Sequence, residues 1–395
     1  MSRIFSVVGA GPGQPGLLSA RARDAICQAQ EAYATGQIAG ALAALRKDWQ
    51  LCPHGQTAVR AAESACHKVA VLVPGDPGFF EEIEHVRAIL QPHGQVQVYP
   101  GVSSLQYLCA RLGESYDDLF WMQAGDGPDL LAAVSYHSKV GVLTDDAHPP
   151  EKVCAVLHAA GLGRMRVAVG SRLGTGYEQI ADHNAQSLKN KKFAGPSVVL
   201  LFQDHPADPL RPVFDEDLAG TDGMARQELR WNAASLLDVR PAETVYVLGA
   251  GNGASAVELA RRAHEGRVYA LEESTDKLEV LARNRELLGS WNILPVPGRL
   301  HEAMQPLSAP DAVLFGLRAH SYHGLLDRLK YKNPRVRVVI AAGSLDKLAE
   351  AQDALQALRY HKVAVSQLLL SRSRTMGGHT LMLGGETVFL LYAEG

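Results

Sequence analysis

Cysteine is scarce in this chain: five residues, Cys27, Cys52, Cys66, Cys109 and Cys154, all lie in the first half. None forms a CxxC pair and no histidines stand at zinc-finger spacing, so the sequence predicts reduced thiols, no disulfide framework and no metal site. A basic excess is also missing. The 39 Lys and Arg residues meet 42 Asp and Glu residues for a net charge of −3, which gives no electrostatic reason to expect nucleic acid or an anionic membrane as partner. No apolar run approaches the about 18 residues of a transmembrane helix. The apolar start at residues 4–8 runs into glycine without a basic leader or a cleavage site, so a soluble cytoplasmic protein is expected. Nor does the sequence display a Ser-His-Asp or Cys-His constellation for covalent catalysis.

What is present is strand–helix alternation, twice. A chain of 395 residues exceeds the about 100–200 of a typical domain, so two domains are expected. Short β-branched runs at 4–8, 69–73, 96–99, 140–143, 166–169 and 198–202 read as buried strands, with helical patterns at 19–31, 82–90, 103–112 and 150–160. This α/β domain is expected to cover 1–204. Residues 205–223, rich in Pro, Gly and Asp, read as a linker. From 224 to 395 a helix and then a renewed alternation predict a doubly wound sheet. It closes with an antiparallel hairpin built from runs at 364–371 and 387–391.

Three glycine- or proline-containing loops follow strands in the first half. Gly9-Ala10-Gly11-Pro12-Gly13 comes first, then Pro74-Gly75-Asp76-Pro77-Gly78, then Tyr99-Pro100-Gly101-Val102-Ser103-Ser104. Glycine permits positive φ and close backbone approach to a ligand. Ser103 or Ser104 is placed to cap the following helix.

In order and spacing, "VGAGPGQPGLLSARARDAI", "GDPGFF", "YPGVSSLQYLCARLG" and "RVAVGSRLGTGYEQI" resemble the tetrapyrrole (corrin/porphyrin) methylase family, nearest to the branch acting at ring carbon 5. The resemblance implies a two-subdomain fold. It also implies S-adenosyl-L-methionine held around Gly75, Asp76, Pro77, Ser103 and Ser104, with Gly9, Gly11, Pro12 and Gly13 facing the macrocycle. Two stretches depart from the family: Glu81-Glu82 stand where glycine is usual, and Gln123–Gly127 replaces a His-Gly-Arg-like segment.

In the second half, residues 245–248 lead into Gly249-Ala250-Gly251-Asn252-Gly253, and Glu272 ends the next strand. An acid there is placed to hydrogen-bond the ribose hydroxyls of an adenosine cofactor. Gly249, Gly251 and Ala254 also satisfy GxGxxA, which leaves a nicotinamide-dependent reductase open. The stretches "GMARQELRWNAASLLDVRPAETVYVLGAGNGASAVELAR" and "GRVYALEESTDKLEVLARNRELLG" resemble a Rossmann-like class I methyltransferase domain, as does the tail containing "VSQLLLSRSRTMGG". Fused to the domain above, this is similar to the bifunctional precorrin methyltransferases of cobalamin biosynthesis, which methylate carbons 5 and 15 with decarboxylation. That family associates into homo-oligomers and acts on a precorrin or cobalt-precorrin substrate.

Departures recur here: Val247 stands where the family has Asp, Ala225-Arg226 where it has Thr-Lys, and residues 316–323 replace a glycine-rich loop. Arg318, His320 and His323 follow a parallel strand's carboxyl end, and Arg372 and Arg374 lie near the tail. These are the candidates for gripping substrate carboxylates. The losses at Val247 and Glu81 leave a second alternative, a tetrapyrrole-binding protein with decayed cofactor sites.

Overall fold

The computed structural model describes residues 3–79, 82–125, 127–220, 226–317, 319 and 321–395. The chain divides into two compact units. The first holds residues 1–124 and 139–202, the second 125–138 and 203–395. The helix Gly127–Tyr136 thus groups with the second unit although it lies within the first 204 residues.

The first unit contains two sheets. One is all parallel, in the order Gln50–Leu51, Glu31–Ala34, Lys68–Val73, Ile4–Gly9, Gln95–Tyr99. Alternate side chains feed opposite faces: Val8, Ala70 and Leu72 join one apolar cluster, while Val7, Val71 and Val73 join another. This is the period of two that a strand imposes. The second sheet runs Leu119–Gln123, Lys139–Leu143, Ser197–Phe202, Arg166–Ser171, Gln179–Asn184 and is mostly antiparallel. The helix Ser104–Leu112 lays Leu105, Leu108 and Cys109 onto Ala168, Val198 and Leu200. Burial of each such large apolar side chain contributes about 1.5–3 kcal/mol.

The second unit has one seven-stranded sheet. Five strands are parallel, in the order Ile293–Pro297, Arg267–Glu272, Thr244–Leu248, Ala312–Phe315, Arg337–Ala342. His379–Glu394 and His361–Met376 complete it as an antiparallel hairpin. Val245 and Val247 point into the core on one face, Tyr246 and Leu248 into the core on the other. Helices therefore cover both faces, as a parallel sheet requires.

Local details differ from the sequence expectation. The helix expected over 19–31 stops at Gln28, and Glu31–Ala34 is a strand. Leu119–Gln123, Gln179–Asn184 and Ile293–Pro297 are strands without a clear β-branched run; all three are edge strands, where sequence patterning is weakest. Both hairpin strands outrun the expected 364–371 and 387–391, with 16 residues each, and turn at Gly377 and Gly378, both at positive φ. All five cysteines are free.

Candidate functional site

In the first unit Lys68–Val73, Ile4–Gly9 and Gln95–Tyr99 are parallel neighbours, so the loops that follow them gather at one sheet edge. They touch backbone to backbone. Gly11 and Gly75 exchange two hydrogen bonds, each 3.0 Å, at φ +61° and +63°. A Cβ on Gly101 would stand 2.2 Å from the Gly75 carbonyl oxygen, and one on Gly9 would stand 2.6 Å from Gly101 N. Any side chain here would push the loops apart.

Asp76 ties this junction together. Its Oδ1 accepts from Gly78 N at 2.6 Å and its Oδ2 from Gly101 N at 3.1 Å. Pro77 packs beside Gly9 and its carbonyl accepts from Ile83 N at 3.0 Å. Ser103 is the helix cap: its hydroxyl accepts from Gln106 N, and Gln106 Oε1 accepts from Ser103 N. Asp76, Pro77, Ser103 and Gly9 hold the loops in shape. A cavity of about 790 Å³ opens in front, with Gly11, Pro12, Gly13, Gly75 and Ser104 in its wall.

That wall also carries residues the motif reading did not single out: Thr35, His54, Thr144 and Arg172. Gly174 packs against Pro12, where a Cβ would come within 2.9 Å of the ring, so the 172–176 turn joins the first glycine loop. Glu178 anchors that turn, accepting from Gly174 N at 2.8 Å and pairing with Arg111 at 3.0 Å. Burial, then the hydrogen bond with Glu178, raises the Tyr107 phenol above its ordinary range.

The second unit builds its candidate site on the turn after Thr244–Leu248. Gly249, Gly251 and Gly253 all have positive φ, +70°, +59° and +84°. Gly249 N and Ala250 N both donate to Leu271 O at 3.0 Å. Glu272 is buried and pinned: Oε2 accepts from Gly251 N at 2.7 Å, and Oε1 from Glu273 N and Ser274 N at 3.1 Å. Nothing lies within 4 Å of where a Gly251 Cβ would be, so the turn's outer side is open. A carboxylate oxygen accepts more than one hydrogen bond. Glu272 is thus oriented by the turn and retains acceptor capacity for a hydroxyl, which fits a nucleoside at this edge.

Asn252 and Asn284, not foreseen from the motif, brace the turn. Asn252 Nδ2 donates to Gly220 O at 2.6 Å. The fully buried Asn284 donates to Asn252 O at 2.8 Å and exchanges hydrogen bonds with Ala219. Val247 is 1% exposed and belongs to the apolar core.

Of the basic candidates, Arg318 and His320 lie outside the described residues, as do Glu81 and Ala225. His323 is exposed in the first turn of the helix Tyr322–Lys332. Arg372 makes hydrogen bonds of 2.6–3.2 Å to Glu228 and pairs with Asp215 at 2.9 Å. Asp215 in turn pairs with the buried Arg230 at 2.7 Å. Arg372 therefore joins the hairpin to the segment ahead of the sheet, while Arg374 is exposed farther along.

Comparison with known proteins gives two family matches along the chain. Residues 5–189 match the family model described as Tetrapyrrole (Corrin/Porphyrin) Methylases, and residues 215–390 match the one described as Precorrin methyltransferase domain. A cobalt-precorrin-7 C(5)-methyltransferase of Salmonella typhimurium is 31% identical over 116 residues, covering 28% of this chain and 55% of that protein. The chain thus spans about half the length of that relative. A probable cobalt-precorrin-6B C(15)-methyltransferase (decarboxylating) of Sulfurisphaera tokodaii is 25% identical over 173 residues, 43% of this chain and 90% of the relative. A precorrin-6Y C(5,15)-methyltransferase (decarboxylating) of Mycobacterium tuberculosis is 24% identical over 253 residues, 62% of this chain and 63% of its own length.

Proposed function

We propose that this chain, which joins a tetrapyrrole methylase domain to a precorrin methyltransferase domain, is a precorrin-6Y C(5,15)-methyltransferase (decarboxylating). It methylates a precorrin at ring carbons 5 and 15 and releases carbon dioxide from an acetate side chain, in cobalamin biosynthesis. The observation that carries this reading is the pairing of those two domains in one chain, each with a glycine turn at the carboxyl edge of parallel strands.

S-adenosyl-L-methionine supplies a methyl group already electrophilic enough for an enamine-like ring carbon. The protein's residues then have two tasks, to hold the reactants in line and to take up a proton. In the first half Gly75 and Ser104, shaped by Asp76 and Ser103, would hold the nucleoside, and Gly11–Gly13 of the same cavity wall would border the ring. In the second half Gly249 and Gly251 would leave room for the nucleoside, and Glu272, held by Gly251 N, would accept from its ribose hydroxyls. Decarboxylation belongs to the second half.

The protein works in the cytoplasm as a homo-oligomer. Among the described residues no helix is long and apolar enough to cross a membrane. The exposed Leu369 and Met382 of the hairpin provide apolar surface for association. The test is incubation with methyl-labelled S-adenosylmethionine and the precorrin substrate. Two labelled methyl groups and the loss of one carbon dioxide are expected; an unlabelled ring would overturn the reading.

A further inference from the structure

The cavity of the first unit has an unusual charge pattern. Its described lining residues include Arg172 and His54 but no aspartate or glutamate. Around it are hydrogen-bonding groups of Gln14, Thr35, Ser104 and Thr144. In a protein of net charge −3, a concavity free of acids and holding one permanent cation suits an anion.

Arg172 is held in an uncommon way. It follows the strand Arg166–Ser171 at φ +49°, a left-handed conformation that is strained for a non-glycine residue. Its N–H donates to Pro196 O at 3.0 Å, and its carbonyl accepts from Thr175 N at 3.2 Å and Thr175 Oγ1 at 2.7 Å. The backbone is therefore locked at both ends. The side chain passes over Gly195, where a Cβ would stand only 3.2 Å from Arg172 Cγ and Nε. Among the described residues no carboxylate pairs with its guanidinium, in contrast to Arg166, Arg111 and Arg372. A glycine would fit this turn with less strain, yet the cavity wall here carries an exposed arginine.

We infer that Arg172 is the carboxylate anchor of the first half, a specificity-determining residue that selects a polycarboxylate ring through a bidentate guanidinium contact. This rests on the methyltransferase reading of that half and names the group that recognises its substrate. Cofactor binding is independent of it.

The full chain is titrated with uroporphyrin, an octacarboxylate tetrapyrrole, by fluorescence quenching, and separately with S-adenosylhomocysteine by calorimetry. Arg172→Gly removes the guanidinium and suits the positive φ, so it folds with an unchanged or higher melting temperature. It weakens uroporphyrin binding about tenfold or more, the worth of a charge-assisted hydrogen bond, and leaves S-adenosylhomocysteine affinity unchanged. Arg172→Lys, which keeps the charge but not the planar fork, falls between. With the precorrin substrate, Arg172→Gly raises KM and leaves kcat within about threefold, as loss of uniform binding does. Equal uroporphyrin affinity in wild type and Arg172→Gly overturns the Arg172 assignment and leaves the methyltransferase reading standing. A wild-type chain that binds neither ligand overturns both.

Discussion

The Tyr136 hydroxyl donates to Asn292 Oδ1 at 3.2 Å, across 156 positions of sequence, and both residues are buried. Asn292 Nδ2 donates in turn to Ala260 O and Ala263 O at 3.0 and 2.9 Å. One residue earlier, Ser135 Oγ accepts from Trp291 N at 2.8 Å, and Asp129 pairs with Arg267 at 2.7 Å. The helix Gly127–Tyr136 is therefore part of the second unit's interior. Burial, above all, pushes the Tyr136 phenol well above its ordinary value. Tyr136→Phe leaves Asn292 Oδ1 without its donor and is expected to cost about 1–3 kcal/mol in denaturant unfolding. A stability equal to wild type would show that this hydrogen bond does not form.

Gly101→Ala tests the first unit's loop junction. The added Cβ meets the Gly75 carbonyl at 2.2 Å, and backbone cannot yield as a flexible side chain can. Overpacking of this kind costs about 1–3 kcal/mol or more. The expected result is loss of carbon-5 methylation together with a lower melting temperature. Full carbon-5 activity in the variant would contradict the contact.

Glu272→Gln separates the two halves. The amide offers a single oxygen where two oxygens now accept three N–H groups, so its NH2 confronts at least one backbone donor. The second-half turn should lose its shape, reducing its S-adenosylhomocysteine affinity by about tenfold or more. Product mass spectrometry should show a ring methylated once, at carbon 5. Two methyl groups at the wild-type rate would remove Glu272 from the site.

The Arg372 network predicts a pH dependence. Burial alone would raise the Asp215 and Glu228 carboxyls. Arg230 and Arg372 outweigh it at Asp215, as Arg372 does at Glu228, so both titrate below their ordinary values. Groups depressed on folding stabilise above their unfolded pKa, about 4, and lose that contribution as pH falls through the folded value. Arg372→Gln should melt below wild type at neutral pH, with the gap closing as pH drops beneath about 4. A gap that stays constant down to about pH 3 would show that Arg372 acts through packing alone.

Much of the architecture was legible from residues 4–8, 69–73 and 245–248, because a buried parallel strand advertises itself as an apolar, β-branched run bounded by a glycine- or proline-containing turn. Three glycine turns were legible for a related reason: positive φ at Gly11, Gly75 and Gly251 is a local demand that glycine meets. Strands such as Gln179–Asn184 were not, since an edge strand needs apolar residues on few of its positions.

Local order thus followed from composition and spacing: two α/β halves, glycine turns at strand ends, an acid after the second strand of the later sheet. The employment of individual polar groups did not. Asp76 and Ser103 stand behind the cavity, Arg172 and His54 in its wall, and Arg372 pairs with Asp215 and Glu228. Backbone conformation is set by a residue and its nearest neighbours, whereas a charge or hydroxyl answers to whichever groups folding brings within about 3 Å of it, often from more than a hundred positions away.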